Sequence, residues 1–200
     1  RTVHKNMMPP AGPRGRGSAV NPDNRFDAFH LDFEPEELAE REYPTEFFRD
    51  DTQSILSKNN SEDLSFEASI NPYRGCEHGC AYCYARTYHE YLGYSAGIDF
   101  ESKILVKERA AELLEKQLSS PRYRCKVLVM SGATDSYQPV ERKLKITRAC
   151  LEVLARFRNP VVVITKNDLI LDGELILSLE PIQNDKGATV PSIAQVEKKG

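Results

Sequence analysis

The chain lacks a long hydrophobic run. Nowhere in its 200 residues is there an apolar stretch near the roughly 20 residues that a membrane-crossing helix needs. No charged-then-apolar segment opens it, so no signal peptide is expected. A strong net charge is missing too. The 27 basic and 30 acidic side chains leave a balance of −3, which gives no global attraction to nucleic acid and leaves only local basic patches to consider. Cysteine is scarce, and the five present are odd in number with three clustered, which rules out a disulfide framework. A reducing, cytoplasmic setting is the expectation. There is no internal repeat.

What is present suits one domain, or one domain with a disordered arm. The apolar fraction is 40% and the charged fraction 28%, enough to build a core. Residues 1–60 read as an extension, 61–180 as the folded domain and 181–200 as a polar tail. Within the extension, residues 1–25 are rich in Pro, Gly and Arg, including Arg14 and Arg16. That composition predicts a disordered arm. Arg-Gly stretches also track phosphates, but this one is short and has no aromatics. Residues 27–63 are acidic, with a short helix predicted over 36–42 after Pro35 and a solvated charged face elsewhere.

From residue 64 the texture becomes regular. Phe66, Ala68 and Ile70 alternate with polar residues as in a strand, and Asn71 with Pro72 breaks it. A short helix is expected over 87–92, a turn over 93–97 and a strand over 103–107. Ala110, Ala111, Leu113, Leu114 and Leu118 have helical spacing. The continuous apolar runs at 126–130 and 161–165 read as strands buried on both faces. Between them, 140–157 reads as one amphipathic helix, and 169–179 as a further helix. Alternating strands and helices argue for a parallel α/β sheet or barrel. Ligands sit at the carboxyl ends of the strands in such folds, so the loops after the three strands are expected to converge on one face.

The loop after the first of those strands carries the sharpest signal. Cys76, Cys80 and Cys83 have the spacing C-x3-C-x2-C. This offers three thiolates, where a structural zinc site wants four ligands. His78 is the candidate fourth ligand for zinc, which would make the chain a zinc-stabilised nucleic-acid-binding module. On a four-iron cluster, three thiolates leave one iron open to another ligand, and the cluster is tuned by nearby hydrogen bonds and burial. Gly75 and Gly79 give the backbone room to wrap. Tyr82 and Tyr84 supply aromatic surface. Cys125 and Cys150 are expected to serve packing.

This motif resembles that of the radical S-adenosylmethionine (SAM) superfamily. Ser-Ile-Asn-Pro-Tyr-Arg-Gly-Cys-Glu-His-Gly-Cys-Ala-Tyr-Cys-Tyr-Ala-Arg at 69–86 is similar to its spore photoproduct lyase-like branch. So are Asp-Phe-Glu-Ser-Lys at 99–103, Thr-Asp-Ser-Tyr-Gln-Pro-Val-Glu-Arg at 134–142, Thr147 with Arg148, and Thr165 with Lys166. The likeness spans roughly residues 45–171. It implies part of a (β/α)6 TIM-type barrel, a [4Fe–4S] cluster on Cys76, Cys80 and Cys83, and SAM on the open iron. It implies that Thr134 and Asp135 meet the methionyl group of SAM, Lys166 its carboxylate, and Tyr82 the adenine or cluster. The chemistry implied is a 5′-deoxyadenosyl radical that takes hydrogen from a substrate, the protein positioning the cofactors. A one-electron reductant such as flavodoxin or ferredoxin is the implied partner. Spore photoproduct lyases have a hydrogen-donating cysteine where this chain has Gly132, so the likeness does not extend to DNA-lesion repair by that route. Family chains run on beyond the third strand, so this one is expected to be truncated on its C-terminal side, with an inactive fragment as the further alternative.

Overall fold

A computed structural model describes residues 16–18, 20–26, 43–60 and 66–172, with the backbone of 182–183 and 189–190. The helix expected over 36–42, Arg14, most of the tail and the helix beyond Asp172 lie outside the described residues. Two compact units are present, Arg1–Phe48 with Arg74–Val106 and Arg49–Tyr73 with Lys107–Gly200. Among the described residues no helix is long and apolar enough to cross a membrane.

The second unit holds a four-stranded sheet in the order β2-β3-β6-β7, from β2 (Leu56–Lys58), β3 (Ala68–Ile70), β6 (Leu128–Met130) and β7 (Val161–Val163). β2 runs antiparallel to β3, with Leu56 opposite Ile70. β3, β6 and β7 are parallel, Ala68 pairing with Leu128 and Leu128 with Val161. Every residue of β3 and β6 is buried, as expected of strands covered on both faces. β7 is less buried than its apolar run predicts: Val162 is 44% exposed and Ile164 56%. It ends the strand order among the described residues, so no neighbour beyond it covers its side chains.

Helix α3 (Ala110–Leu118) connects towards β6 and buries Ala110, Leu113, Leu114 and Leu118, the stripe its sequence spacing predicts. Past it, Pro121 has no N–H with which to extend the helix. The sequence between β6 and β7 folds into two helices rather than the one expected, α4 (Glu141–Leu144) and α5 (Ile146–Arg156). Lys145 between them is left-handed at φ 53°, a conformation unfavourable to a side-chain-bearing residue. The buried Glu141 carboxylate holds this break. It accepts the Tyr73 hydroxyl and, at 3.2 Å, the Arg148 N–H in the first turn of α5, a donor without a partner inside the helix. α3 and α5 pack on each other. A short α6 (Leu169–Asp172) follows β7.

Of the first unit, the segment Arg74–Val106 is an insertion in chain order between β3 and α3. In the second unit, the residues on either side of that segment are joined by a 3.0 Å hydrogen bond from Lys107 N–H to the Pro72 carbonyl. A three-stranded sheet is ordered β1-β5-β4, with β1 (Glu46–Arg49), β4 (Tyr73–Arg74) and β5 (Lys103–Val106). The strand expected near 103 therefore forms outside the parallel sheet. Helix α1 (Arg86–His89), the tighter turn Glu90–Leu92 and α2 (Ile98–Ser102) complete the unit. Two further short strands, β8 (Ile182–Gln183) and β9 (Thr189–Val190), pair antiparallel with each other.

Residues assigned by composition to a disordered arm pack onto the first unit. Arg16 donates to the Glu101 carbonyl at 2.7 Å. The Asn24 side chain, buried, donates to the carbonyls of Glu90 and Tyr94 at 3.1 Å each. Arg25 pairs with the buried Glu90 carboxylate at 2.6 Å. Low hydrophobicity cannot anchor a segment, but these side chains meet backbone carbonyls and buried carboxylates that the unit leaves to be satisfied.

Candidate functional site

Cys76, Cys80 and Cys83 lie on one loop of the first unit, and none of them forms a disulfide. Cys76 is buried with Ala85 and Phe100, and Cys83 packs against that cluster. The Cys76 N–H donates to the Phe100 carbonyl at 2.9 Å, which ties the loop's start to α2. Tight turns follow, Gly79 N–H to the Cys76 carbonyl and Cys83 N–H to the Cys80 carbonyl, both 3.2 Å. Gly75 and Gly79 are left-handed, at φ 79° and 60°, so the wrapping expected of these glycines is present. Tyr82 stands 80% exposed beside the thiols, and Tyr84 is exposed with its ring edge-on to Tyr88.

Arg86 closes the loop from inside. Its Nε donates to the Cys80 carbonyl at 3.0 Å. Nη1 reaches the carbonyls of Ala96 and Gly97 at 3.2 and 2.9 Å. Nη2 reaches the Gly79 carbonyl at 2.9 Å and the Glu101 carboxylate at 2.5 Å. A guanidinium has five N–H donors in a fixed fork, and here the fork spans both sides of the loop. Glu101 is 1% exposed, so its charge requires this partner. Sequence reading missed both residues. The signal was faint: two opposite charges flanked by motif residues, Arg86 at the motif's end and Glu101 in the 99–103 stretch.

In the second unit, Thr134 and Asp135 occupy the loop after β6, and Lys166 the loop after β7. The geometry joins two of these. Asp135 accepts Lys166 N–H at 2.8 Å and the Thr165 hydroxyl at 2.7 Å, as well as Tyr137 N–H at 2.9 Å. One carboxylate thus fastens the two loops, while the Lys166 side chain is exposed. Thr134 is buried and its hydroxyl donates to the Tyr73 carbonyl at 3.0 Å. A side chain at Gly132 would press on Ser69, since a Cβ there would lie 2.9 Å from the Ser69 hydroxyl and 3.0 Å from its Cβ. Neighbouring Asn71 receives Ala133 N–H at 2.7 Å.

Among the described residues, no three His, Cys, Asp or Glu side chains converge as one metal ion requires. Tetrahedral Zn–S bonds of about 2.3 Å hold sulfurs about 4 Å apart. A four-iron cube is larger and takes its thiolates at wider separation. Three free cysteines on one short loop are a donor set of the kind that iron–sulfur clusters take.

The family model of the Radical SAM superfamily matches residues 70–183. An uncharacterized protein of Mycobacterium tuberculosis is 35% identical over 143 residues, covering 71% of this chain and 42% of its own. A counterpart in Mycobacterium bovis has the same figures. An uncharacterized protein of Methanocaldococcus jannaschii is 34% identical over 116 residues, 57% of this chain and 41% of its own. The chain thus spans less than half the length of the curated relatives it matches. No solved structure matches it.

Proposed function

The chain belongs to the radical SAM superfamily, and from that premise we propose that it holds a [4Fe–4S] cluster on Cys76, Cys80 and Cys83 and binds SAM beside it. The observation that carries this reading is the C-x3-C-x2-C loop, fixed by Arg86 and lying within the matched segment. When bound, such a cluster supplies the electron that splits SAM into methionine and a 5′-deoxyadenosyl radical, which abstracts hydrogen from the substrate. The chain's own residues bind and orient. Lys166 presents an ammonium to the SAM carboxylate, a point charge suited to it. Asp135 sets the Lys166 backbone and brings a carboxylate charge to the methionyl ammonium. Thr134, whose hydroxyl proton is given to Tyr73, has its oxygen to offer as an acceptor. Tyr82 offers its exposed ring to adenine. The domain is read as part of a (β/α)6 barrel, supported by the three parallel strands with their site loops at the carboxyl ends. The lyase-like branch is supported by the motifs around 69–86 and 134–142, with Gly132 speaking against DNA-lesion repair. A soluble reductant of the flavodoxin or ferredoxin kind and a cytoplasmic, reducing setting belong to the same proposal.

The test is anaerobic reconstitution with iron and sulfide, reduction, addition of SAM and assay for 5′-deoxyadenosine. About four irons per chain and product that disappears in Cys80→Ala establish the reading. Zinc in place of iron would sink it. A normal cluster without product favours the second reading, a site built but not active in these 200 residues, which the partial coverage of the relatives motivates.

A further inference from the structure

We propose that the Arg16–Gly17 segment is a strap that, through Glu101 and Arg86, positions the cysteine loop. This rests on the cluster-binding role proposed above, and goes beyond it by giving the N-terminal segment a part in the site. The contacts converge on one buried carboxylate. Glu101 takes the Arg86 guanidinium on one oxygen at 2.5 Å and Gly17 N–H on the other at 3.0 Å. Its carbonyl takes Arg16 at 2.7 Å. Arg16 also approaches the Glu77 carboxylate, within the cysteine motif, at 3.9 Å, and donates to Thr45 at 2.8 Å. Both strap and guanidinium therefore press on the same stretch of loop, from opposite sides of Glu101.

The backbones fit face to face at the contact. A Cβ on Gly17 would collide with the Gly79 carbonyl and lie 2.9 Å from Ala81 N. A Cβ on Gly79 would lie 2.5 Å from the Arg16 Cβ and 2.8 Å from the Glu101 carboxylate. Gly79 has a second reason to be glycine, its left-handed φ, but Gly17 does not. Its lack of a side chain is explained by this approach alone. The carbonyl that Gly17 faces is also the one Arg86 holds at 2.9 Å. Displacing the strap therefore disturbs the turn between Cys76 and Cys80. These are positioning residues, since none of them touches a reacting group.

Gly17→Ala tests the strap with a single methyl, and Arg86→Lys tests the clamp by keeping charge while losing the fork. Circular dichroism and thermal melts first establish that each variant is folded. The apo-proteins are then treated with a thiol-alkylating reagent, and modification of Cys80 and Cys83 is timed by peptide mass mapping. Both should be modified several-fold faster in Gly17→Ala, with Cys125 unchanged as the internal control. After reconstitution this variant should hold less iron per chain and give an altered electron paramagnetic resonance spectrum at equal iron. Arg86→Lys should fall between the native chain and Arg86→Ala. Native alkylation rates and a native spectrum in folded Gly17→Ala would overturn the proposal. If the native chain takes up no iron while Gly17→Ala still accelerates alkylation, the cluster reading fails and the strap stands.

Discussion

His89 is 2% exposed, stacked on Tyr94 at 5.2 Å and edge-on to Phe100 at 5.6 Å. Its Nε2 has no hydrogen-bond partner among the described residues. Burial holds its pKa down at about 4, against the pull of nearby Asp99. The folded chain therefore resists a proton that the unfolded chain accepts below about pH 6.5. The stability this group contributes is complete above that value and falls as pH drops towards about 4. From about pH 7 to pH 5 the loss from this one group is about 2 kcal/mol. Urea unfolding at the two pH values should show it, and His89→Gln should flatten the dependence. An unchanged slope in the variant would assign the effect elsewhere. Cys150 illustrates the same physics in a thiol, which burial pushes up to about 12, in keeping with the packing role expected of it.

At the scale of elements, periodic patterns were legible and single contacts were not. The stripe of α3, the parallel strands β3 and β6 and the short helix after the cysteines all follow from spacing, because burial of one face repeats at a fixed period. The break at Lys145 does not, since Val140, Leu144 and Leu151 keep helical spacing across it. It depends on Glu141, a charged residue that no periodic pattern marks as buried, and on its contact with Tyr73 far away in the chain. Glu141→Ala removes the acceptor from both the Tyr73 hydroxyl and Arg148 N–H. It should cost about 3 kcal/mol in chemical denaturation, while Tyr73→Phe should cost about 1 kcal/mol. Equal and negligible costs would mean that the break stands without the carboxylate. The same limit hid the N-terminal segment and the Arg86–Glu101 pair. Their partners lie 15 or more residues apart, and no local pattern announces such a pair. The cysteines were legible for the opposite reason, all three ligands lying within one short stretch.

At the scale of the whole molecule, the proposed ligands divide between two units. Cys76, Cys80, Cys83 and their Arg86–Glu101 support belong to the first, whereas Thr134, Asp135 and Lys166 belong to the second. The second set hangs on Asp135, which fixes the loops after β6 and β7 together. Cluster loading and SAM binding should therefore respond to different substitutions. Asp135→Asn keeps the shape but removes the charge that receives Lys166 N–H and the Thr165 hydroxyl. Lys166→Ala removes the ammonium and leaves the backbone contact in place. Both should retain native iron content and a native cluster spectrum while weakening SAM binding, by about tenfold or more if one charge-assisted hydrogen bond of about 1.5–3 kcal/mol is lost. Calorimetric titration of SAM into the reconstituted proteins measures this directly. Loss of iron in either variant would mean that the second unit helps to shape the cysteine loop. Native SAM affinity in both would move the SAM site away from the strand ends.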